Sequence, residues 1–434
     1  MKKIALISHG CAKNLVDSEL ILGILAENGY EITLDDTASD IVIVNTCSFI
    51  NDAERESVNS ILELVNEGKK VIVTGCLSQK HGKELRDAIP EVSALIGTTD
   101  FHKIVDVIKR LEDGEEYIEE VNSNPEYIYP EEVNRQQITM GSSSYIKIAD
   151  GCNYRCGYCI IPYLRGDYRS RKMEDIIQEA KTLVKKGVTE IILIAQDTTG
   201  YGMDIYKKPM LAELLRELNK IENIGWIRVM YAYPTQMNDE LLTAIAECEH
   251  VVKYVDIPLQ HSHPDMLKRM NRPAFDYVPM IENIRKKVPN VAIRTAFIVG
   301  YPGETEEEFE HLYNFVKEMK FNKMGVFEYS REKGTPSYNI KPLVSKKVMH
   351  ERYKKLMELQ QKISKSVNET FIGKTLPCII ENYTDDGYVV ARTQNDAPEV
   401  DGVVYIKTDE MLVPGDIENV KIIDCDEYDL IGTI

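Results

Sequence analysis

Six of the nine cysteines in this 434-residue sequence stand where thiolates could hold metal. Cys152, Cys156 and Cys159 lie in Gly151-Cys-Asn-Tyr-Arg-Cys-Gly-Tyr-Cys159, a C-x3-C-x2-C spacing. Three thiolates on so short a loop can wrap one face of a cubane iron–sulfur cluster and leave its fourth iron without a protein ligand. An iron with an open position is what a substrate-like ligand requires. Two other readings stand beside it: a zinc site completed by a distant fourth ligand, and a four-cysteine electron-transfer cluster.

Cys11, Cys47 and Cys76 are far apart, yet each comes just after a run with strand character, at residues 3–8, 40–46 and 70–75. In an open parallel sheet the strand carboxyl ends face one crevice. The three are therefore expected to meet there, again as three ligands with one iron left open. The competing reading is three small buried hydrophobes, the usual fate of free Cys. Cys248, Cys378 and Cys425 share no such placement and read as structural.

These cysteines need elements that deliver them, and the chain divides into three segments. Residues 1–120 alternate β-branched runs with helical patterns: strands at 3–8, 40–46, 70–75 and 94–97, and a helix at 14–27. This predicts an open parallel α/β sheet. A polar connector, 115–137, contains Pro125 and Pro130. Residues 138–368 repeat strand-then-helix six times, with strands at 145–150, 190–196, 226–232, 254–259, 292–300 and 323–329. Helices are expected at 173–186, 210–221, 304–319 and 345–366. Six βα units predict a barrel-type parallel sheet that falls short of eight, with the C-x3-C-x2-C loop at its carboxyl end, where barrel active sites lie. Residues 371–434 are β-rich, with turns at Asp386-Gly387, Asp401-Gly402 and Pro414-Gly415, and predict a small β-barrel of the oligonucleotide-binding kind.

Bulk properties narrow the setting. No apolar run approaches the length of a membrane span. Lys2 and Lys3 precede an apolar stretch too short for a signal peptide, so the expected location is the cytoplasm, where thiols stay reduced. The net charge of −18 argues against phosphate tracking. It is uneven: residues 371–434 hold four Lys/Arg against fourteen Asp/Glu, a net of −10.

At this point several stretches resemble the radical S-adenosylmethionine methylthiotransferase family. They are Gly10-Cys-Ala-Lys-Asn-Leu-Val-Asp-Ser-Glu19, Asn45-Thr-Cys47, Thr74-Gly-Cys76, and the cysteine loop followed by Ile160-Ile-Pro-Tyr-Leu-Arg-Gly166. The resemblance covers essentially the whole chain, in the order N-terminal cluster domain, radical core, TRAM domain. Gln196-Asp-Thr-Thr-Gly-Tyr-Gly202 and Pro258-Leu-Gln-His261 look most like the branch that modifies a ribosomal protein. Ala12 and Lys172 stand where that branch more often has proline; neither is a ligand.

The resemblance implies two [4Fe-4S] clusters, on Cys11, Cys47 and Cys76 and on Cys152, Cys156 and Cys159, with S-adenosylmethionine on the second. It implies transfer of a methylthio group to the β-carbon of an aspartate in ribosomal small-subunit protein S-twelve. That C–H bond is unactivated, so the cofactor must supply a radical. A reductant such as flavodoxin or ferredoxin is the implied electron source. Gly300 and Glu304 resemble the strand end that contacts adenine in the radical superfamily; a strand-to-helix turn explains them equally well. Gln196, Asp197 and Thr198 end a core strand and either line the site or cap the loop. His261 and His263 read as structural, and Arg165 and Arg171 as partners of a cofactor carboxylate or of ordinary ion pairs. The acidic tail suits a basic ribosomal protein and would repel tRNA. The alternatives are a tRNA adenosine substrate for the same chemistry, and a non-enzymatic iron–sulfur or zinc protein.

Overall fold

Near-continuous Val and Ile runs can be buried on both faces only inside a covered parallel sheet. The first such runs form one. The computed structural model describes residues 2–48, 51–129, 134–138 and 141–434, so Pro130 of the connector lies outside the described residues. The chain folds as two compact units. Residues 1–140, 149–153 and 160–175 form the first; residues 141–148, 154–159 and 176–434 form the second.

The first unit holds a six-stranded sheet of β1 (Lys3–Ser8), β2 (Glu31–Thr33), β3 (Ile41–Thr46), β4 (Lys70–Gly75), β5 (Ala94–Ile96) and β6 (Ile118–Glu120). Its order is β2-β1-β3-β4-β5-β6, and every pair is parallel. All six residues of β3 are buried. From β1 the chain winds outward to β2 and then returns to place β3 on the other side. The β1/β3 boundary is therefore the topological switch point, where the strand ends open a crevice. The three-residue strands β2 and β6 escape sequence reading because neither is long enough to show a period. The same unit contains a short antiparallel pair, β8 (Ala149–Asp150) with β9 (Arg169–Ser170).

In the second unit the six expected core strands are β7 (Ser143–Lys147), β10 (Glu190–Ile194), β11 (Trp226–Val229), β12 (Tyr254–Asp256), β13 (Ala292–Val299) and β14 (Lys323–Glu328). They pair as two parallel three-stranded sheets, β11-β10-β7 and β12-β13-β14. The two are linked by the Ile227–Val251 bridge and by Ala232 N–H to Asp256 O at 2.8 Å. Strand β11 stops three residues earlier than its sequence suggests. Tyr231 there takes a positive φ of 64°, which no strand tolerates. Five strands, β15 (Thr375–Tyr383), β16 (Val389–Thr393), β17 (Val404–Ile406), β18 (Ile417–Cys425) and β19 (Leu430–Thr433), close a barrel in the order β15-β16-β17-β19-β18. Cys378, Ile380, Val389, Ala391, Val404, Ile406, Val420 and Ile422 fill it.

A buried charge cluster fastens this barrel to the core sheet. Glu190 opens β10 fully buried, and one oxygen accepts from Arg228 Nε at 2.7 Å. The other accepts from Arg392 Nη2 of β16 at 2.6 Å and from Ser143 Oγ at 2.8 Å. Although burial pushes the carboxyl up, the two guanidiniums outweigh it and hold Glu190 at about 2. Among the described residues no helix is long and apolar enough to cross a membrane.

Removing Glu190 would leave Arg228 buried without its anion and Arg392 with Glu381 alone. Glu190→Ala should lower the unfolding free energy by about 3–5 kcal/mol in urea titrations. The folded carboxyl titrates near 2 and an unperturbed one near 4.5, so its contribution is present above 4.5 and is lost as pH falls toward 2. A Glu190→Gln chain should lack that part of the acid destabilisation.

Candidate functional site

Strand ends turn sharply where each cysteine of the first set begins. Gly10, after β1, has φ +94°, and Gly75, at the end of β4, also has φ +94°. This is a backbone region that residues with a Cβ rarely adopt. A Cβ on Gly10 would lie 2.7 Å from Cys47 Cβ and 2.9 Å from its Sγ. Glycine is thus required for Cys11 and Cys47 to share the β1/β3 crevice. Cys11 is the N-cap of the helix Ala12–Glu27, and Cys76 is the first residue of the helix Cys76–Ala88. Helix N-termini favour thiolate.

The polar residues beside these cysteines lock the crevice. Asn45 Nδ2 donates to Asn14 O and Ser18 Oγ, both at 2.8 Å. Asn14 Nδ2 donates to Thr46 O at 2.9 Å and His9 O at 3.1 Å. The Cys47 N–H donates to Ser57 Oγ at 3.0 Å. Cys47 and Cys76 are buried and Cys11 is exposed. Burial pushes the Cys76 thiol up to about 12; Arg165 opposes that rise, while Cys11 and Cys47 reinforce it. Three thiols brought to one crevice, with glycine at two of the approaches, could serve as donors to an iron–sulfur cluster. Among the described residues no three His, Cys, Asp or Glu side chains close on a point the size of one ion. Ligands at three corners of a cubane stand further apart than ligands of a single metal.

Cys152, also in the first unit, follows Gly151 with φ +81°, and its N–H donates to Gly166 O at 3.1 Å. Arg165 joins Asp17, Asp150 and Asn14 in a buried network; Arg171 instead donates to the Tyr129 hydroxyl at 2.8 Å and stacks on its ring.

Cys156 and Cys159 lie in the second unit, in a turn closed by Cys159 N–H to Cys156 O at 3.0 Å. Between them Gly157 N–H donates to Met270 O at 2.8 Å, and a Cβ there would collide with the Tyr301 hydroxyl. Arg272, which sequence reading passed over, places Nη1 4.0 Å from Cys156 Sγ and stacks on Tyr233. Tyr233 stacks in turn on Tyr154 with centroids 3.5 Å apart. Only the short interval between Arg272 and the His261 motif in the sequence could have flagged it.

The remaining candidates sit at strand ends of the second unit. Asp197 is buried and accepts from Thr199 N–H at 2.9 Å. Burial raises its carboxyl above the ordinary value, against hydrogen bonds from Thr199 and from Tyr154 of the cysteine loop. Thr198 Oγ1 donates to Met230 O at 2.8 Å, a loop-capping role, and Gln196 beside it is half-buried. Gly300 has φ +76°, and a Cβ would collide with Met349. Glu304 precedes the helix Glu306–Met319, outside its first turn. It accepts from Gly300 N–H at 2.5 Å, Arg352 Nη1 at 2.6 Å and His261 Nε2 at 3.2 Å. Its oxygens thus hold the turn that ends β13. His261 is fully buried, and its Nδ1 accepts from His263 N–H at 3.0 Å, which fixes the proton on Nε2. Cys248 and Cys378 are buried and Cys425 half-buried, none in a disulfide.

Comparison with known proteins agrees across the chain. Residues 3–97 match the uncharacterized protein family UPF0004, residues 146–316 the Radical SAM superfamily and residues 372–434 the TRAM domain. A ribosomal protein uS12 methylthiotransferase RimO of Thermoanaerobacter sp. (strain X514) is 50% identical over 437 residues, covering 100% of both chains. The protein of the same description in Caldanaerobacter subterraneus subsp. tengcongensis is 49% identical, again over 100% of both. Among solved structures, the radical S-adenosylmethionine methyltransferase TsrM of Kitasatospora setae aligns with TM-score 0.58. The alignment is at 13% identity and covers 83% of this chain and 89% of that one, a likeness of fold.

Exposure and thiol chemistry rank the cysteines of the cluster-free protein. In an iodoacetamide time course at pH 8, mapped by mass spectrometry, Cys11 should be modified on the order of 100-fold faster than Cys76. Cys378, fully buried and also pushed up to about 12, should lag with Cys76. Equal rates for Cys11 and Cys76 would contradict the buried placement.

Proposed function

This chain belongs to the RimO family of ribosomal protein uS12 methylthiotransferases, and from that premise we propose that it attaches a methylthio group to the β-carbon of an aspartate in that protein. The observation that carries the reading is the meeting of Cys11, Cys47 and Cys76 at one sheet edge, with glycine making the close approach possible. A lone radical core would need only the C-x3-C-x2-C loop. A second three-thiol site supplies the place from which sulfur is delivered.

Cys152, Cys156 and Cys159 would hold the cluster that binds S-adenosylmethionine, and Cys11, Cys47 and Cys76 a second one. When bound, the first supplies the electron that cleaves the sulfonium and so makes an unactivated C–H bond reactive. The protein's part is placement. Arg272 puts a cation beside Cys156, and the Tyr154–Tyr233 stack with Asp197 fixes the cysteine loop. Gly300, whose turn Glu304 holds, lets Met349 pack closely against the end of β13. Gln196, Asp197, Thr198, Gly300 and Glu304 are the positions proposed to face S-adenosylmethionine. A flavodoxin or ferredoxin would be the reductant and the cytoplasm the location. The net of −10 over residues 371–434 favours a basic protein substrate over tRNA.

Anaerobically reconstituted chain should bind about eight irons, as two cubanes require. With S-adenosylmethionine, a reductant and an S-twelve peptide, it should form 5′-deoxyadenosine and a methylthiolated peptide. Cys156→Ala should abolish cofactor cleavage, whereas Cys11→Ala should spare cleavage and abolish sulfur insertion. A methylthiolated nucleoside in place of the peptide product would transfer the reading to tRNA. Zinc without iron would end it.

A further inference from the structure

Arg165 is only 2% exposed, and its guanidinium is shared among three side chains of the first unit. Nη1 stands 3.0 Å from Asp17 Oδ2 and 3.1 Å from Asp150 Oδ2. Nη2 stands 3.0 Å from Asp17 Oδ2 and 2.8 Å from Asn14 Oδ1. Asn14 and Asp17 lie early on the helix that Cys11 caps. Asp150 comes two residues before Cys152, and the carbonyl of Gly166, next to Arg165, accepts the Cys152 N–H. Asn14 also accepts the guanidinium while donating to Thr46 O, the residue before Cys47. Leu164 packs with Cys76 and Ile160. Directly, through a neighbouring residue or through one side chain, a single cation therefore reaches the segments that carry four of the six cysteines.

Stability does not account for such an arrangement. Replacing a buried ion pair by apolar residues of similar volume is often neutral or stabilising. Lysine could not replace the fork, which needs planar donors aimed in two directions.

We propose that Arg165 is a positioning residue common to both cysteine sites: it fixes the Cys11 helix to the Cys152 segment and keeps a positive charge beside the Cys11, Cys47 and Cys76 group. The proposal rests on the cluster reading above. Its consequence is that the reduction potential of the first site and the coupling of cofactor cleavage to sulfur transfer both depend on a residue that ligates nothing.

The test uses the full chain, reconstituted anaerobically with iron and sulfide, as wild type, Arg165→Gln, Arg165→Lys and Asp17→Asn. Each is also made with Cys152, Cys156 and Cys159 changed to Ala, so that the first site alone is loaded. Three readouts are taken: iron content, midpoint potential by EPR-monitored titration, and 5′-deoxyadenosine formed per methylthio product. Arg165→Gln should shift the potential of the first site to more negative values, because loss of a cation favours the oxidised cluster. Asp17→Asn, which removes an anion, should shift it the other way. Arg165→Lys should stay nearer the wild-type potential while deoxyadenosine per product rises several-fold. A folded, fully loaded Arg165→Gln with wild-type potential and ratio would overturn the proposal. Should that variant fail to load, Asp17→Asn and Arg165→Lys decide: the expected shifts support it, and wild-type values in both overturn it. A wild-type chain that takes up no iron would overturn the cluster reading itself, and the proposal with it.

Discussion

Parallel strands end on one side of their sheet, so a residue type repeated just past successive strands is repeated along one edge. Everything proposed for the first unit follows from that constraint. β1, β3 and β4 are neighbours in the sheet, and the residues after them are Cys11, Cys47 and Cys76. β3 and β4 are apolar enough to bury both faces, and β1 pairs in parallel with β3 along its length. The winding then reverses at the β1/β3 boundary, so the crevice opens where Cys11 and Cys47 stand. Gly10 completes the geometry, because any larger residue would drive the two thiol-bearing loops apart.

Polar groups buried close to these thiols are costly unless each has a partner. Asn14, Asn45, Asp17, Asp150 and Arg165 satisfy one another and the backbone of the cysteine-bearing loops. The second unit follows the same rule with different residues. Glu190 sits between two guanidiniums where the barrel meets the core sheet, and Glu304 among Gly300, His261 and Arg352 where β13 ends. Pairing of these two carboxylates steadies the turns, and rigid turns are what a site assembled from distant loops requires.

Much of this was legible in the residues. The runs at 3–8 and 70–75 coincide with β1 and β4, and the expected closing helix begins one residue before Lys346–Glu369. These elements are long and strongly patterned, so local preference and tertiary context agree. The short strands β2 and β6 carry no period, and β11 is cut short by a positive φ at Tyr231 that its sequence does not announce. Among chemical residues, cysteine spacing was informative because thiols have few other uses in such a pattern. Asp17, Asn14, Asp150 and Arg272 were not singled out. Charged and amide side chains are common on surfaces, and only three-dimensional pairing distinguishes a buried one. Glu304 illustrates the same limit: its position suggested a cofactor contact or a strand-to-helix turn, and the bonds from Gly300 and Arg352 to its carboxylate are visible only in three dimensions.

On the proposed function, residues 11, 47 and 76 form a cluster site of their own. The most direct measurement is Mössbauer spectroscopy with iron analysis on anaerobically reconstituted chain in which Cys152, Cys156 and Cys159 are all alanine. About four irons per chain with the signature of a cubane are expected. A variant that retains no iron, although it folds as the wild type does, would contradict the account.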